Sequence, residues 1–507
     1  MTPETLSDSA TSATSAISSH PAPGAHADPN QFALLRQRRF APFFWTQFSG
    51  AANDNVFKFA FTVMVTYQLS VGWLPPAMAG LVIGALFILP FLLFSATSGQ
   101  LTDKYDKTVM IRFVKNLEIA IMLLAACGFM MDNVPILLGC TFLMGLHSTL
   151  FGPVKFAYLP QVLSERELTG GNGMVEMGTF VAILLGQVAG GLLVALPGIG
   201  HTAVAVGCIA LALAGRLVAQ FIPSAPATDP HLVINWNPFT ETWRNLKLAH
   251  GNLVVFRSLL GISWMWFFGA VFLSQFPSLA KEVLHGNEQV ASALLVVFSI
   301  GIGTGSLLCE TLSRRHVEIG LVPLGAIGMS IFAVDLYFAS SGLPPSGVMG
   351  LGVFLAQPAH WRVMADLALL SLFAGLYSVP MYALIQLRSQ PTHRARIIAA
   401  NNILNALFMI ASSIIAGLLL VLAELLVGIQ SGFDLVLIGS ILVISGFVGM
   451  FTGSTPLMLV LATALSILYI AVGRNKIRQK ITTVTKKTNI DKLIGANGVV
   501  VRSVTPD

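Results

Sequence analysis

Ionisable side chains occur inside segments of this chain that are otherwise apolar. Asp54 and Lys58 lie four residues apart in the first such segment, so they share a helical face and can form an internal ion pair. Lys155 and Glu176 lie in the fourth and fifth segments. A charge inside hydrocarbon is costly unless it faces a polar cavity or a partner, so these positions are candidates for binding a polar group.

These positions predict a substrate-binding set in the first half of the chain. The set consists of Asp54, Asn55, Lys58, Lys155, Asn172 and Glu176. The alternative is that its charges only pair with one another and hold the first half together. Lys115 and Glu118, three residues apart in the third segment, also share a helical face, and for them we favour a structural ion pair.

A charged turn with the sequence GQLTDKYDK follows the second apolar segment. Its glycine lets two helices approach closely, and its first carboxylate can meet the positive N-terminus of a neighbouring helix. Nearby cations can pair across the same face, and pairs made in only one state bias an alternating-access equilibrium. The predicted gate residues are Gly99, Asp103, Lys104, Lys107 and Arg112. The alternative is a solvated turn whose basic residues only set membrane orientation.

The composition identifies the elements that position these residues. The chain has 507 residues, of which 55% are hydrophobic and 10% are charged, against about 25% charged in soluble proteins. Apolar windows of about 20 residues recur along it, each long enough to cross a bilayer as a helix. The sequence therefore predicts an all-α polytopic membrane protein. The pI near 9.2 reflects basic loops rather than a nucleic-acid-binding patch.

About 12 transmembrane helices are predicted. They lie near 41–69, 77–98, 109–131, 134–157, 171–196, 201–222, 254–280, 290–310, 318–339, 361–387, 397–422 and 455–473. Most basic residues then fall on one side, with only Lys281 and Arg362 in the opposite loops, so the positive-inside rule predicts cytoplasmic termini. For 423–454 we favour an extracytoplasmic or re-entrant hairpin over a thirteenth span.

The predicted division of the chain has five parts. They are a disordered cytoplasmic tail (1–38), a six-helix bundle (39–222), a cytoplasmic linker (223–252), a second six-helix bundle (253–473) and a basic cytoplasmic tail (474–507). Within the linker, Phe239, Trp243 and Leu246 follow helical spacing beside basic residues. This pattern predicts a short amphipathic helix on the membrane surface.

The two halves resemble each other. Lys155 aligns with Tyr382, Asn172 with Asn401, and Glu176 with Asn405. A parallel repeat of six spans is typical of the major facilitator fold, with two six-helix bundles related by pseudo-twofold symmetry. The GQLTDKYDK turn resembles the signature loop of that superfamily, except at Asp106, where the pattern has glycine. The resemblance implies that the first and fourth helices line a central cavity.

The second half offers mainly neutral polar groups to such a cavity. They are Gln275, Gln386, Asn401, Asn402 and Asn405, and an aromatic cluster runs from Trp264 to Phe268. A cavity that is charged on one side and apolar on the other suits an amphiphile with a zwitterionic head and one acyl chain. A sugar would more often need hydrogen-bonding groups on both walls.

Several first-half motifs together are similar to the bacterial lysophospholipid transporter family. They are Gln47-Phe48, Asn53-Asp54-Asn55, Gly99-Gln100 with Asp103, Pro153-Val154-Lys155-Phe156, and Asn172-Gly173 with Glu176. The Lys115 and Glu118 pair and the run from Ser263 to Gly269 look more like the transporter portion that is fused to an acyltransferase in some bacteria.

The resemblance implies a flippase of the bacterial inner membrane that moves lysophospholipids, chiefly lysophosphatidylethanolamine, from the outer to the inner leaflet for re-acylation. It also implies that Asp54 and Glu176 handle the headgroup while Lys155 meets the phosphate. Two stretches depart from the family: 423–454 is longer than expected, and the tail 482–507 has no counterpart.

No enzyme, metal or cofactor motif competes with a transporter. There is no Walker loop, no cysteine pair with metal-binding spacing, and no histidine followed five positions later by Asp, as an acyltransferase of this pathway would need. An acyltransferase partner would therefore be a separate chain. Two alternatives stay open: a proton-coupled exporter of amphiphilic drugs or small metabolites, and a membrane scaffold or receptor for an acyltransferase.

Overall fold

A computed structural model describes residues 30–427 apart from 70, 75, 342 and 344–346, and its side chains apart from those at 76–78 and 416–427. Thirteen α-helices and four short 3₁₀ or π helices occupy the described residues. The α-helices are labelled in chain order. They are α1 (Ala41–Val63), α2 (Pro76–Lys104), α3 (Lys107–Met130), α4 (Val134–Val162), α5 (Glu165–Val194), α6 (Gly200–Ala219), α7 (Pro238–His250), α8 (Leu253–Ser278), α9 (Glu288–Leu312), α10 (Leu321–Ser341), α11 (Leu351–Ala356), α12 (Pro358–Arg388) and α13 (Arg394–Val427). The predicted twelfth span and basic tail, and nearly all of the predicted hairpin, lie outside the described residues. Of the predicted disordered tail (1–38), residues 30–38 are described, and there the prediction is wrong: Gln31–Arg36 form a short 3₁₀ helix, because Gln31 donates hydrogen bonds to Glu310 and to the carbonyl of Leu307.

Ten of the described helices are long and apolar enough to cross a membrane. They are α2 to α6, α8 to α10, α12 and α13. Helix α1 is not among them, and it carries the polar run from Asn53 to Asn55 together with Lys58. The prediction of a polytopic all-α membrane protein is confirmed, and eleven of the predicted spans correspond to helices in the described part of the chain.

Polar side chains define where these helices begin. The carboxylate of Asp106 accepts hydrogen bonds from the backbone N–H groups of Thr108 (2.7 Å) and Val109 (3.1 Å) at the start of α3. At the start of α5, Ser164 and Glu167 form a capping box. These caps satisfy N–H groups that have no partner within the helix. This capping role explains why aspartate stands at position 106, where the signature loop has glycine.

The spanning helices pack as two bundles. In the first, α1 packs against α5 and α6, and α2 packs against α4. In the second, α12 packs against α9 and α10, and α13 packs against α8. The bundles meet where α5 contacts α9 and where α2 contacts α13. In this arrangement the inner faces of α1, α4, α12 and α13 point toward the space between the two bundles.

The linker contains the predicted amphipathic helix, α7. Phe239 and Trp243 are exposed, whereas Glu241 and Asn245 are fully buried on the opposite face. Upstream of α7, Asn235 exchanges two hydrogen bonds with the side chain of Gln100 on α2. The linker is therefore attached to the end of α2 that carries the predicted gate.

Candidate functional site

A cavity of about 430 Å³ lies between the two bundles. Its lining residues come from α1 to α5 on one side and from α8, α12 and α13 on the other. Five of the six predicted substrate-binding residues line it, namely Asp54, Asn55, Lys58, Lys155 and Glu176. Helices α1 and α4 are both lining elements, as the superfamily resemblance implies.

Asp54 and Lys58 point to different neighbours. The Asp54 carboxylate accepts a hydrogen bond of 2.6 Å from the Ser148 hydroxyl on α4. The Lys58 ammonium lies 3.7 Å from the centroid of the Phe87 ring on α2, a cation–π contact. The predicted internal ion pair between them is wrong. The carboxylate contacts a hydroxyl on one neighbouring helix, and the ammonium contacts an aromatic ring on another. Both side chains nevertheless face the cavity.

Lys115 and Glu118 form the ion pair that their spacing predicts. Both side chains are almost completely buried, and the ammonium of Lys115 contacts the carboxylate of Glu118 directly. The amide of Asn53 donates to the other Glu118 oxygen at 2.7 Å. The ring of His147 also lies 3.2 Å from the Glu118 carboxylate. This cluster joins α1, α3 and α4 at the cavity wall, where Lys115 and His147 are lining residues.

The ammonium of Lys155 is held by a neutral group. It donates to the Thr179 hydroxyl at 2.9 Å, one turn after Glu176 on α5. Glu176 lies close enough to act on Lys155 electrostatically, and its side chain lines the same cavity. Lys155 and Glu176 therefore present opposite charges at one level of the cavity, where both remain available to a ligand of mixed charge.

The second-half wall repeats these positions with neutral groups. Tyr382, the counterpart of Lys155, stacks on Phe156 with ring centroids 4.3 Å apart and planes 4° from parallel. Asn405, the counterpart of Glu176, accepts a hydrogen bond of 2.8 Å from Ser263. Both line the cavity. The alignment of the two halves therefore brings equivalent positions to opposite walls.

Asn172 does not line the cavity, contrary to its predicted role in substrate binding. Its amide exchanges hydrogen bonds of 2.6 and 3.1 Å with Gln386 on α12. The same Gln386 donates to the backbone carbonyl of Phe156 at 3.0 Å. The amide of Asn172 is therefore hydrogen-bonded to Gln386 and does not face the cavity. This pair joins the two bundles beyond the end of the cavity.

The predicted gate centres on Asp103. Its carboxylate accepts hydrogen bonds from the backbone N–H of Ala395 at 3.1 Å and from the Arg396 guanidinium at 3.1 Å. This places a negative charge at the N-terminus of α13, as the sequence suggests. A Cβ atom at Gly99 would lie 2.7 Å from the Cβ of Ala399, so only glycine permits this approach of α2 to α13.

The other predicted gate cations do not reach the second bundle. Lys107 donates to the carbonyl of Pro226 in the linker at 3.4 Å, and Arg112 donates to the carbonyl of Gln220 after α6 at 3.0 Å. Lys104 is only partly buried. Their expected pairing across the face is wrong, because carbonyls at the end of α6 and in the linker lie closer. Arg396 supplies the cross-bundle cation instead.

Within the described residues, the side-chain hydrogen bonds between the bundles occur at one end of the molecule. The pairs are Gln31 with Leu307 and Glu310, Thr169 with His316, Asn172 with Gln386, Phe156 with Gln386, and Asp103 with Ala395 and Arg396. All lie at or near the ends that carry the basic loops. The cavity is therefore closed at that end.

Comparison with known families agrees with this architecture. The sequence model of the Major Facilitator Superfamily matches residues 43–413. This chain belongs to the major facilitator superfamily. Solved structures of similar fold include the E. coli fucose:proton symporter FucP, with a TM-score of 0.60 and 14% identity over 82% of this chain and 98% of that one. A bacterial homologue of the iron transporter ferroportin has a TM-score of 0.58 and 13% identity over 81% and 99%.

Curated relatives of this major facilitator protein include lysophospholipid transporters. The protein LplT of Serratia proteamaculans is 26% identical, with 68% of this chain and 79% of the relative covered. LplT of Escherichia coli O157:H7 is 29% identical over the same shares. The resemblance noted from the first-half motifs is confirmed by these relatives.

Four residues that shape the site were not predicted from sequence. They are His147, Ser148 and Thr179 beside the cavity and Arg396 at the gate. Helical spacing contains a signal for two of them. Ser148 precedes Lys155 by seven residues and Thr179 follows Glu176 by three, so each shares a face with a predicted site residue.

Proposed function

We propose that this protein carries lysophospholipids of the lysophosphatidylethanolamine type from the outer to the inner leaflet of a bacterial inner membrane by alternating access. The named relatives support the lipid class. The observation that carries the proposal is the asymmetry of charge in the cavity: aromatic rings line both walls, but the charged side chains among the described lining residues all come from the first-half wall, and the second wall holds neutral polar and apolar groups. A lipid with a zwitterionic head and a single chain matches both walls.

The contacts in the cavity suggest how the headgroup sits. Lys155 already donates to a neutral hydroxyl, and a phosphate would replace that hydroxyl with a charged acceptor, which is a stronger hydrogen bond. The ammonium of the headgroup would meet Asp54 or Glu176, each of which lines the cavity. The acyl chain would lie against apolar side chains, such as Phe87, Trp266 and Met409.

Alternating access would use the contact between Asp103 and α13. If the positive-inside orientation holds, the closed end faces the cytoplasm and the cavity is reached from the outer side. Opening toward the cytoplasm then requires the bonds of Asp103 with Ala395 and Arg396 to break. The cost of leaving Asp103 and Arg396 unpaired would be offset by new contacts on the other side and by bound lipid.

In this proposal the protein has no enzymatic step of its own. A separate membrane-associated acyltransferase would re-acylate the delivered lysophospholipid. The rival function, proton-coupled export of amphiphilic drugs or small metabolites, uses the same fold and gate. It predicts movement in the opposite direction and no preference for a glycerophosphate headgroup.

The test is uptake of labelled lysophosphatidylethanolamine by spheroplasts with and without the protein. We expect uptake with the wild type, and strong loss with Asp54→Ala and Lys155→Ala. The matched control is Lys281→Ala, because Lys281 is exposed and lies outside the cavity lining. Drug efflux without lipid uptake would favour the exporter. Co-purification of an acyltransferase without either activity would favour the scaffold.

A further inference from the structure

A charged group interrupts the apolar outer surface of the second bundle. The exposed side chains of α10 include Leu324, Ile327, Ile331 and Phe338, and their spacing places them on one stripe of the helix. In a chain that crosses a membrane, such an exposed apolar stripe faces lipid. Asp335 lies on this stripe, four residues after Ile331 and three before Phe338. Its carboxylate therefore lies among side chains that contact lipid.

The partner of this carboxylate is Arg362 on α12. The guanidinium contacts Asp335 directly through Nη2, and its Nε donates to the other carboxylate oxygen at 3.3 Å. The side chain of Arg362 is 56% exposed and that of Asp335 is 35% exposed, so both can be reached from outside the protein. A guanidinium has five N–H donors, and the donors that do not bind Asp335 can bind an anion.

The pair lies near the end of the molecule opposite the basic loops. Helix α10 ends six residues after Asp335, and α12 begins four residues before Arg362, which places the two groups about 6 to 9 Å along the axes from these ends. The neighbouring Trp361 is exposed, as is typical of side chains at a membrane–water interface. A charge at this depth is costly against hydrocarbon alone, and polar lipid groups reduce that cost.

A second carboxylate gives this group an excess of negative charge. Asp366 lies one turn after Arg362 on α12, and it is close enough to Arg362 and Asp335 to act on both electrostatically. Asp366 is only 4% exposed, and its Oδ2 has no hydrogen-bond partner in the part of the chain that the structure describes. Buried polar atoms are nearly always paired. One guanidinium therefore faces two carboxylates, and the group lacks a second cation.

We propose that Asp335, Arg362 and Asp366 form a binding site for the phosphoethanolamine headgroup of a bilayer phospholipid. The phosphate binds Arg362, and the ammonium binds the partly exposed carboxylate of Asp335, while Asp366 adds a second negative charge beside it. None of the three residues lines the central cavity, so this site is separate from the proposed transport site and does not depend on the proposed function.

The charges select ethanolamine among the common headgroups. Its primary ammonium has three N–H donors, and hydrogen bonds between an ammonium and a carboxylate are among the strong ones. The trimethylammonium of phosphatidylcholine has no N–H to donate. Phosphatidylglycerol has no cation, so two carboxylates repel it.

The apolar stripe favours a lipid with two chains. From Phe338 to Leu324 it extends over 14 residues, or about 21 Å along the helix axis. Two acyl chains cover more of this surface than one chain does, and the stabilisation grows with the apolar area that is covered. The occupant is therefore diacyl phosphatidylethanolamine rather than the lysophospholipid with the same headgroup.

The test measures lipid binding to the purified full chain by native mass spectrometry, with phosphatidylethanolamine, phosphatidylcholine and phosphatidylglycerol of matched chains. We expect phosphatidylethanolamine to bind about fivefold more tightly than phosphatidylcholine, the upper range for an ion pair at a hydrated surface, and phosphatidylglycerol to bind most weakly. Asp335→Asn and Asp366→Asn should each reduce this preference. Arg362→Gln should weaken binding of all three lipids, because all three carry the phosphate.

The matched control is Glu288→Gln, which removes an exposed carboxylate at the same end of the second bundle and should keep the wild-type preference. Equal binding of the ethanolamine and choline lipids by the wild type would overturn the proposal. An unchanged preference in either carboxylate variant would do the same, and for Asp366 it would mean that this carboxyl group holds a proton instead of facing a cation.

A second measurement locates the bound lipid. Photoactivatable phosphatidylethanolamine should cross-link to the α10 peptide that contains Asp335, and this product should persist in Lys155→Met, whose substitution lies in the central cavity. Cross-linking to α1 or α4 alone, or loss of the α10 product in Lys155→Met, would place the lipid in the cavity and refute the separate site. Stronger cross-linking of α10 by lysophosphatidylethanolamine would refute the choice of a bilayer lipid. Absence of lysophospholipid uptake by the wild type refutes only the proposed function.

Discussion

The two walls of the cavity occupy equivalent positions in the two halves, yet their chemistry differs. Lys155 and Glu176 on the first wall correspond to Tyr382 and Asn405 on the second. The first wall also contains part of a charged cluster around Glu118, which is fixed by the ion pair with Lys115. On the second wall, the lining residue Asn405 is fixed by a neutral hydrogen bond from Ser263.

This difference shows how a repeated fold can hold an asymmetric ligand. The repeat supplies two walls with matching backbone positions, and the side chains decide what each wall binds. Charges gathered on one wall give a headgroup one orientation, since the other wall offers no counter-charge among the described lining residues. Four substitutions test whether this division controls stability and binding, in order of the expected effect.

The largest effect is expected for Glu118→Gln. This change leaves Lys115 buried without its partner, and breaking one side of a buried ion pair costs about 3–5 kcal/mol in the free energy of unfolding. Thermal unfolding in detergent measures the loss. Glu288→Gln, at an exposed position, is the control and should change stability by less than about 0.5 kcal/mol. Equal stability of the two variants would show that the charged cluster does not support the first wall.

The next effect concerns the headgroup. Lys155→Met keeps most of the side-chain length but removes the cation, and a hydrogen bond to a charged group contributes about 1.5–3 kcal/mol. We expect the dissociation constant for lysophosphatidylethanolamine to rise about 10- to 100-fold, measured by equilibrium binding to the purified protein. Lys155→Arg should restore part of the affinity. If Lys155→Met binds the lipid with wild-type affinity, Lys155 does not contact the headgroup.

A smaller effect should follow from adding charge to the neutral wall. Asn405→Asp places a carboxylate opposite Glu176 with almost no change in shape. We expect uptake of an anionic lysophosphatidylglycerol to fall about tenfold, which corresponds to about 1.4 kcal/mol, because the new carboxylate repels the phosphate. Uptake of lysophosphatidylethanolamine should fall less, since its ammonium can meet the added charge. An equal loss of uptake for both lipids would contradict the proposal that this wall distinguishes headgroups.

The smallest effect is expected for Ser263→Ala. It removes the hydrogen bond to Asn405, and a neutral hydrogen bond contributes about 1 kcal/mol to the free energy of unfolding. Thermal unfolding under the conditions used for Glu118→Gln gives a direct comparison. A loss as large as that of Glu118→Gln would mean that both walls are held equally strongly.

The sequence was a good guide to local structure. Apolar length predicted the spans because transfer of a helix into hydrocarbon depends on the composition of that helix alone. Helical spacing likewise predicted the Lys115 and Glu118 pair, since two residues on one turn remain neighbours in any fold. The same rule failed for Asp54 and Lys58, because Ser148 and Phe87 arrive from other helices and bind them separately.

The gate and the cavity depended on contacts between distant parts of the chain. Asp103 binds Arg396, which lies 293 positions away, and Asn172 binds Gln386, which lies 214 positions away. No local pattern specifies such partners. Lys107 and Arg112 have the charge that a gate needs, but packing places them beside carbonyls at the end of α6 and in the linker.

The sequence by itself determined which helices are long and apolar enough to cross a membrane, where several begin, and that charge within the predicted spans is concentrated in the first half, because hydropathy, capping and composition are properties of neighbouring residues. Only the tertiary structure decided which charges share a cavity, which residues pair with Asp103, and that His147 lies beside the Glu118 carboxylate. These outcomes depend on how whole helices pack, and the free energy of that packing is shared among residues far apart in the chain.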